Sequence, residues 1–554
     1  MSKKKFRMRR KTLLREVIQH KAESIGDKVF LTFVKDFDKG IDEKYTYKDI
    51  HLLSNRISNG LLNLGLRRGD GIALMENNSP EFLLVFLSSF KIGTYTVLVN
   101  TGLKGDGLKY IINHSDAKAV IINHEYLKTI LEIKDQLENI KHFIVDLNEA
   151  PNDFELPEGM ISLQEVMQAS DEEIDVEISL EDLSVLMYTA GTTGLPKGVM
   201  FWQGRMLGGL NLQTLSAFAK NFVNDDDILF TCLPLFHANA LFLTSMLGFF
   251  AERPVILAKK FSASRHMNIC RKYGVTVFNG LGGMIPILMK QPEKPNDKEH
   301  SITRINSAAC PKEVWEAFEN RFGIPLNEAY GATDGGGFML TSMGQKQPIG
   351  SMGKALIGTN ASVLDDDGNH LGPNEVGELV FEWKEKEAAQ REVKYYKNVE
   401  ASKKLIIQDK NGINWFSTGD LVYKDEDDWY YFVDRKKDSI RRRGENIASF
   451  SIEKIINQNE KILESAAFGV KSELGEDEVM IAVVLKPGET MTPEELLDFC
   501  QGKMAHFMVP RYIDFVSELP KNAVHRILKR ELKKQGITKT TYDRDKAGYK
   551  LKRN

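Results

Sequence analysis

Four cysteines in 554 residues, far apart at Cys232, Cys270, Cys310 and Cys500, are too few and too scattered for a disulfide framework. They read as reduced thiols in a cytoplasmic protein. No CxxC or HExxH pattern occurs, which leaves no expected structural zinc. The longest apolar run, between His237 and Glu252, is broken by Asn239, Thr244 and Ser245. It is too short and too polar to span a bilayer and reads as a buried helix. An excess of one charge is missing too. With 74 basic against 77 acidic residues, the net charge is -3, so the chain as a whole is not built for nucleic acid or an anionic membrane. The ends are a local exception. Lys3, Lys4, Lys5, Arg7, Arg9, Arg10, Lys11 and Arg15 open the chain without an acid among them, and Lys546, Lys550, Lys552 and Arg553 close it. Solvated tails and weak peripheral contact with anionic head groups both fit these clusters. The start lacks the apolar core of a secretory signal. Internal repeats and low-complexity linkers are absent.

What is present is ordinary globular material, 42% hydrophobic and 9% aromatic, in a chain too long for one core. Over residues 69–123 the pattern alternates between two periods. "GIALME" reads as a buried strand. "NSPEFLLVFLSSF" reads as a helix with Ser79 as N-cap and Pro80 in its first turn. "YTVLVN" and "AKAVIIN" are further strands about a helix, "GLKYIINH". This βαβαβ order predicts a parallel sheet covered by helices. The same texture returns in "LSVLMY", "DILFTCLP", "PVILA", "VTVFNG" and "RINSAA", and a helix is expected near Pro311. From about Gly350 it gives way to hairpins, with "DDDG" as a turn and "VGELVFEW" as an alternating strand. After Lys437 comes a smaller α+β segment, with strands "AAFGV" and "VMIAVVL" and a capped helix "TPEELLDFCQGKM". The expected fold is therefore α/β: a large N-terminal domain of parallel-rich sheets flanked by helices, with a small β-barrel-like subdomain, then a small mobile α+β C-terminal domain. The boundaries fall at 1–434, a hinge at 435–437, and 438–554.

Chemistry concentrates in "YTAGTTGLPKGVM", Tyr188 to Met200. A strand delivers the chain into a turn rich in glycine and threonine. Glycines let successive N–H groups face inward as an anion nest, threonine hydroxyls add donors, and Lys197 adds a positive charge. Gly191 and Lys197 have the spacing of a Walker A loop. However, Pro196 before the lysine has no N–H, and Gly198 after it has no hydroxyl for magnesium. The stretch reads as a phosphate loop of another kind.

This segment resembles the signature loop of the adenylate-forming superfamily, which contains acyl-CoA synthetases, nonribosomal adenylation domains and firefly luciferase. The loop there usually reads T-S-G-T-T-G-x-P-K-G; Ala190 stands here where serine is usual. Four more stretches follow in the family's order. "NSAACP" at 306–311 matches the segment lining the adenine. "YGATD" at 330–334 resembles Y-G-x-T-E, with Asp334 one methylene shorter. "STGD" at 417–420 matches the ribose motif, and "DRKKDSIRRRGENI" matches the hinge motif. The resemblance implies that Thr189, Ala190, Gly191, Thr192, Thr193, Gly194 and Lys197 grip the ATP phosphates. It also implies that Ala308, Ala309, Tyr330 and Gly331 hold adenine, Thr333 contacts phosphate and Asp334 ligates magnesium. Asp420 would clamp the ribose, Arg435 would lie by the ribose and α-phosphate, Lys437 would be the pivot, and Gly444 and Glu445 would complete the cofactor contacts. "RRR" at 441–443 fits a solvated face better than a site for CoA phosphate.

The implied reaction has two steps. A carboxylate attacks the α-phosphorus of ATP, giving acyl-adenylate and pyrophosphate; CoA thiolate then takes the acyl group and AMP leaves. The family's lysine in P-K-T-x-x-G-K corresponds in "PKNAVHRI" to Arg526, which keeps the charge but is bulkier and planar. "PLFHANALFL" and "FNGLGGM" are expected to line the acid pocket. His237 there is a catalytic candidate that gates the acyl tunnel or approaches the adenylate, or else a structural histidine; Gly280, Gly282 and Gly283 either leave space for a long or bulky acyl chain or let a helix start close to a strand. "FSASRHMNICRKYGVTVFNGLGG", "KPND" and "VWEAFENRFG" are similar to the fatty-acid-transport-protein and very-long-chain acyl-CoA synthetase branch. The leading expectation is thus an ATP-, magnesium- and CoA-dependent ligase for a fatty or other hydrophobic acid. Two alternatives stay open: a ligase for a small crotonobetaine-, carnitine-like or aromatic acid, and a catalytically weak fatty-acid-binding protein. A homodimer is compatible with the sequence.

Overall fold

The computed structural model describes residues 11–551 apart from 190–194, 207–211, 282, 309, 336, 341–345, 357–358, 384–394, 437, 439, 443–444, 472–476, 502, 505–507 and 522–526. The described chain forms two compact units. One takes the residues up to 359 with 383 and 395–406; the other takes 360–382 and 407–551.

The larger unit holds two seven-stranded sheets of similar design. In one, the order is Ile161–Ser162, His142–Asp146, Ala117–Asn123, Gly71–Met75, Tyr95–Leu98, Leu183–Thr189, Lys197–Trp202. In the other it is Leu326–Glu328, Arg304–Ser307, Val277–Asn279, Leu229–Thr231, Val255–Ala258, Val29–Asp36, Ile41–Thr46. Every neighbouring pair is parallel except the last of each sheet, which is an antiparallel hairpin. Short runs of Val, Ile, Leu and Ala without polar alternation form these strands because both faces are covered. The strand Gly71–Met75 is buried at every residue.

The helix Pro80–Ile92 follows at once and is also buried throughout. Ser79 caps it by accepting from Phe82 N, Pro80 occupies its first turn, and Gly93 ends it in the left-handed conformation with φ 71°. Asn78, just before the cap, ties the two sheets together. Its Nδ2 donates to Leu233 O at 2.8 Å and Ala258 O at 3.0 Å, and its Oδ1 accepts from Leu235 N at 2.8 Å. The apolar stretch after His237 is the expected buried helix, with a difference. Ala238–Ala240 and Leu247–Ala251 are α-helical, but Leu241–Met246 between them is a π-helix. Ser245 Oγ, donating to Ala240 O at 2.9 Å, fills the widened turn. The four cysteines are free and buried.

The smaller unit begins with an antiparallel sheet of Ala361–Leu364, Gly377–Glu382, Asn414–Lys424 and Ile406–Gln408, with Tyr430–Arg435 added against Asn414–Lys424. This is the curled half-barrel expected from the hairpin texture. The α+β segment follows. Strands Ile462–Lys471, Asp477–Leu485, Tyr512–Phe515 and Tyr542–Asp543 form one sheet, packed by helices Ser449–Ile456 and Pro493–Cys500. Thr492 caps the second helix through a reciprocal box with Glu495. Among the described residues no helix is long and apolar enough to cross a membrane.

Candidate functional site

The Gly/Thr turn hangs from the hairpin Leu183–Thr189 and Lys197–Trp202, with Thr189 opposite Lys197 and Tyr188 opposite Gly198. Ala190, Gly191, Thr192, Thr193 and Gly194 lie outside the described residues. Both ends of the turn are held by the helix Gly105–His114. Tyr110 OH donates to Pro196 O at 3.3 Å, and His114 Nδ1 pairs with Tyr188 OH at 2.7 Å. Gly198 lets the Tyr188 ring pack closely, since a Cβ there would sit 3.1 Å from it and push the ring back by a few tenths of an ångström.

Tyr330–Gly331 is a short strand paired with Phe338–Leu340, and Thr333 and Asp334 occupy the turn that follows it. A Cβ on Gly331 would meet the Phe338 ring at 2.7 Å. Ala308 follows the strand Arg304–Ser307 and donates its N–H to Gly280 O at 3.2 Å; Ala309 lies outside the described residues. Ala308 and Tyr330 stand just past the C-terminal ends of the parallel strands Arg304–Ser307 and Leu326–Glu328, where α/β sheets bind ligands.

Tyr395 is the residue that joins this cluster, and no sequence motif pointed to it. Its hydroxyl donates to Asp334 Oδ2 at 2.5 Å. Its ring lies under Lys197, with Nζ 4.8 Å from the centroid. Its backbone forms an antiparallel bridge with Val199, so it extends the hairpin that carries the turn. Burial, reinforced by the Asp334 charge, pushes the phenol far above its ordinary range, which keeps it a donor. Lys197 and Asp334, read from separate motifs, therefore meet on two sides of one side chain. Among the described residues no group of three or more His, Cys, Asp or Glu could hold a metal. A lone hard carboxylate fits magnesium, which keeps several waters and takes further ligands from nucleotide phosphates.

His237 precedes the helix Ala238–Ala240, with its ring 4.6 Å from that of Phe236. Desolvation holds its pKa down to about 4, and Nε2 is buried without a hydrogen-bond partner among the described residues. The two stretches expected to line the acid pocket are cross-linked by amides. Asn279 Nδ2 donates to Asn239 Oδ1 and to Thr244 Oγ1, each at 3.0 Å, and Asn306 Nδ2 donates to Asn279 Oδ1 at 3.3 Å. A Cβ on Gly280 would make ordinary 3.6 Å contacts and one on Gly283 would meet nothing; Gly282 lies outside the described residues.

In the smaller unit, Asp420 and Arg435 are cross-strand partners, with Arg435 Nε 3.5 Å from Asp420 Oδ1. Lys436 Nζ bonds Glu378 Oε2 at 2.8 Å and Asp366 Oδ1 at 2.9 Å. Lys437, Gly444 and Arg526 lie outside the described residues, as does the side chain of Glu445 on the strand Glu445–Ile447. The solvated reading of "RRR" fails at its middle residue. Strand alternation turns Arg442 to the same side as buried Ile440, where it is 3% exposed and paired with Glu478 at 2.7 Å.

Comparison with known proteins gives one consistent picture. The family model of the AMP-binding enzyme matches residues 18–383, and that of the AMP-binding enzyme C-terminal domain matches 451–526. Crotonobetaine/carnitine–CoA ligase of Salmonella paratyphi A is 30% identical over 528 residues, covering 94% of this chain and 98% of the relative. ATP-bound MatB from Rhodopseudomonas palustris has a similar fold, with TM-score 0.77 at 24% identity over 94% of this chain and 98% of the other. So does the anthranilate CoA ligase AuaEII in complex with anthranoyl-AMP, with TM-score 0.78 at 21% identity over 95% and 98%.

Proposed function

The chain belongs to the AMP-binding enzyme family and is an AMP-forming acid–thiol ligase using ATP, magnesium and CoA; from that premise we propose that its acid is small and polar, of the crotonobetaine/carnitine kind. The observation that carries this reading is the likeness to crotonobetaine/carnitine–CoA ligase along 98% of that protein. The amide network of Asn239, Asn279, Asn306 and Thr244 agrees with it, because a greasy tunnel gains nothing from buried amides beside it. The fatty-acid reading rested on likeness to the fatty-acid-transport branch, whereas the relatives named above include ligases of crotonobetaine or carnitine and of anthranilate.

In this reading the turn at 189–194 and Lys197 hold the triphosphate, and Thr333 contacts a phosphate. Ala308, Ala309, Tyr330 and Gly331 enclose the adenine. Asp420 accepts from the ribose hydroxyls, with Arg435 beside it. Adenylation brings an anionic carboxylate to an anionic phosphate, so positive charge placed in advance lowers the barrier. Lys197 and Arg526 supply that charge from the protein. Magnesium, held by Asp334, would neutralise phosphate charge as a Lewis acid. His237, kept neutral, borders the acid pocket and does not compete for the carboxylate as a cation. Thioester formation follows after a turn of the C-terminal domain about Lys437, which brings Gly444 and Glu445 to the cofactor.

AMP release in the presence of CoA, measured over crotonobetaine, carnitine, benzoate and saturated fatty acids of increasing length, tests the reading. The betaine acids are expected to lead the fatty acids in kcat/KM by roughly a hundredfold or more, a hundredfold being the scale that pocket fit alone achieves. A preference for the long saturated acids overturns it.

A further inference from the structure

We propose that Tyr395 is the positioning residue for the cation-binding acid: its hydroxyl fixes the Asp334 carboxylate, and its ring seats the Lys197 ammonium. The inference rests on the nucleotide reading given above and adds a residue to it.

Three observations converge. Asp334 Oδ2 accepts from Tyr395 OH at 2.5 Å, which occupies one carboxylate oxygen and leaves the other to the cation. Lys197 Nζ lies 4.8 Å from the Tyr395 ring centroid, within cation–π range. The tyrosine itself is pinned. Its backbone bridges Val199, and its N–H donates to Ser402 Oγ at 2.9 Å. The next residue, Tyr396, donates its N–H to Gly198 O at 2.8 Å and its hydroxyl to Asp116 Oδ2 at 2.8 Å. Tyr395 is only 6% exposed. A side chain held by so many contacts transmits its position to whatever it bonds.

This chain has particular need of such a residue. Aspartate is one methylene shorter than the glutamate usual in the motif, so its reach is smaller and its rotamer matters more. A hydrogen bond to the carboxylate selects that rotamer and orients the ligand, as outer-shell partners of metal ligands do. Placing the lysine and the acid on one aromatic residue also sets the distance between the two charges that the phosphates must bridge.

The test uses the full-length protein, with Mn2+ as a paramagnetic probe in place of magnesium and ATP as the nucleotide. Tyr395→Phe keeps the ring and removes the donor. Its Mn2+ affinity in the presence of ATP is expected to fall by about tenfold, with ATP binding in EDTA and the melting temperature unchanged. In an Asp334→Asn background the same substitution should change nothing further. Tyr395→Leu, which also removes the ring, is expected to weaken metal-free ATP binding as well. Equal or tighter Mn2+ binding in Tyr395→Phe, or an undiminished effect of the substitution in Asp334→Asn, overturns the proposal. Wild-type protein showing no ATP-dependent Mn2+ binding overturns the nucleotide reading itself and this inference with it.

Discussion

Arg435 faces Asp420 across two antiparallel strands, with its Nε 3.5 Å from the carboxylate Oδ1. The pairing sets side by side two residues drawn from separate motifs, and Asp420 is 5% exposed. A carboxylate has about four acceptor sites, enough to take an arginine and two neighbouring ribose hydroxyls together. Asp420→Ala is expected to lower apparent ATP affinity by roughly 10- to 100-fold, the scale of charged hydrogen bonds. The sharper readout is discrimination. Wild type should prefer ATP over 2′-deoxy- and 3′-deoxy-ATP, and the variant should treat all three alike. Persistent discrimination in Asp420→Ala would place the ribose elsewhere.

Arg526 directly precedes Ile527, which bridges Lys521 in antiparallel fashion, and Leu528 N donates to Pro520 O at 2.7 Å. The guanidinium should bridge substrate carboxylate and α-phosphate in the first half-reaction only. Arg526→Ala is expected to lose carboxylate-dependent pyrophosphate exchange by about 100-fold or more. Thioester formation from synthetic acyl-adenylate should be retained. Arg526→Lys should recover part of the exchange, because charge returns without the planar fork. Unchanged exchange in Arg526→Ala removes the residue from the mechanism.

Local signals explain what was legible before the fold was known. Ser79, Pro80 and the all-apolar run behind them specify a buried helix start by capping chemistry alone, and the apolar runs from "GIALM" to "VILA" specify strands by composition. The Gly/Thr stretch suggested a phosphate loop because few other uses suit those residues behind a strand, and its residues 190–194 lie outside the described residues. Tyr395 was not legible: it stands 61 residues from Asp334 in sequence, and long-range contacts such as the Val199 bridge bring it back. Asn239 and Asn279 did carry a signal. An asparagine inside a buried apolar run must find partners, and these two find each other. Arg442 was misread because a run of three like charges suggests solvent, whereas strand alternation buries its middle member against Glu478. The strand order of the two large sheets depends on long-range pairing, such as Val29–Asp36 against Val255–Ala258, which no local pattern encodes.

Glu81 sits in the first turn of the buried helix Pro80–Ile92, where a carboxylate usually gains from the helix dipole. Here burial prevails. Desolvation, with Asp146 and Glu43 adding like charge, raises its pKa to about 7, while Asn148 Nδ2 donates to it at 3.0 Å. Because the folded pKa lies above the unfolded value, the protonated acid favours the fold. That contribution is complete below about pH 4.5 and is lost as pH rises through about 7. Glu81→Gln mimics the protonated form. It should leave stability nearly unchanged at pH 5 and raise it by about 3 kcal/mol at pH 8.5. Denaturant titrations at the two pH values check this; an equal effect at both would mean that Glu81 is not titrating in the fold.

Asp434 caps a helix that begins fifteen residues further on. Its Oδ2 accepts from Ser449 N at 2.5 Å and from Ser449 Oγ at 2.8 Å, at the start of Ser449–Ile456, where Ala448 offers no side-chain cap. Lys529 Nζ donates to the same Ser449 hydroxyl and lies 2.8 Å from Glu453. Asp434 precedes Lys437 in the chain, whereas Ser449 and Lys529 follow it. If the C-terminal domain turns about Lys437, Asp434 stays behind and the cap opens, so this contact stabilises only one of the two orientations. A cap is worth about 1 kcal/mol, which corresponds to a population shift of about fivefold. Asp434→Ala should therefore change the rates of adenylation and of thioester formation in opposite directions by about that factor. Lys437→Pro, which stiffens the pivot itself, should spare adenylation and slow thioester formation. Stopped-flow measurement of each half-reaction distinguishes these outcomes. An equal fall of both rates in Asp434→Ala would make the contact a plain structural cap, and an equal fall in Lys437→Pro would move the pivot to another residue.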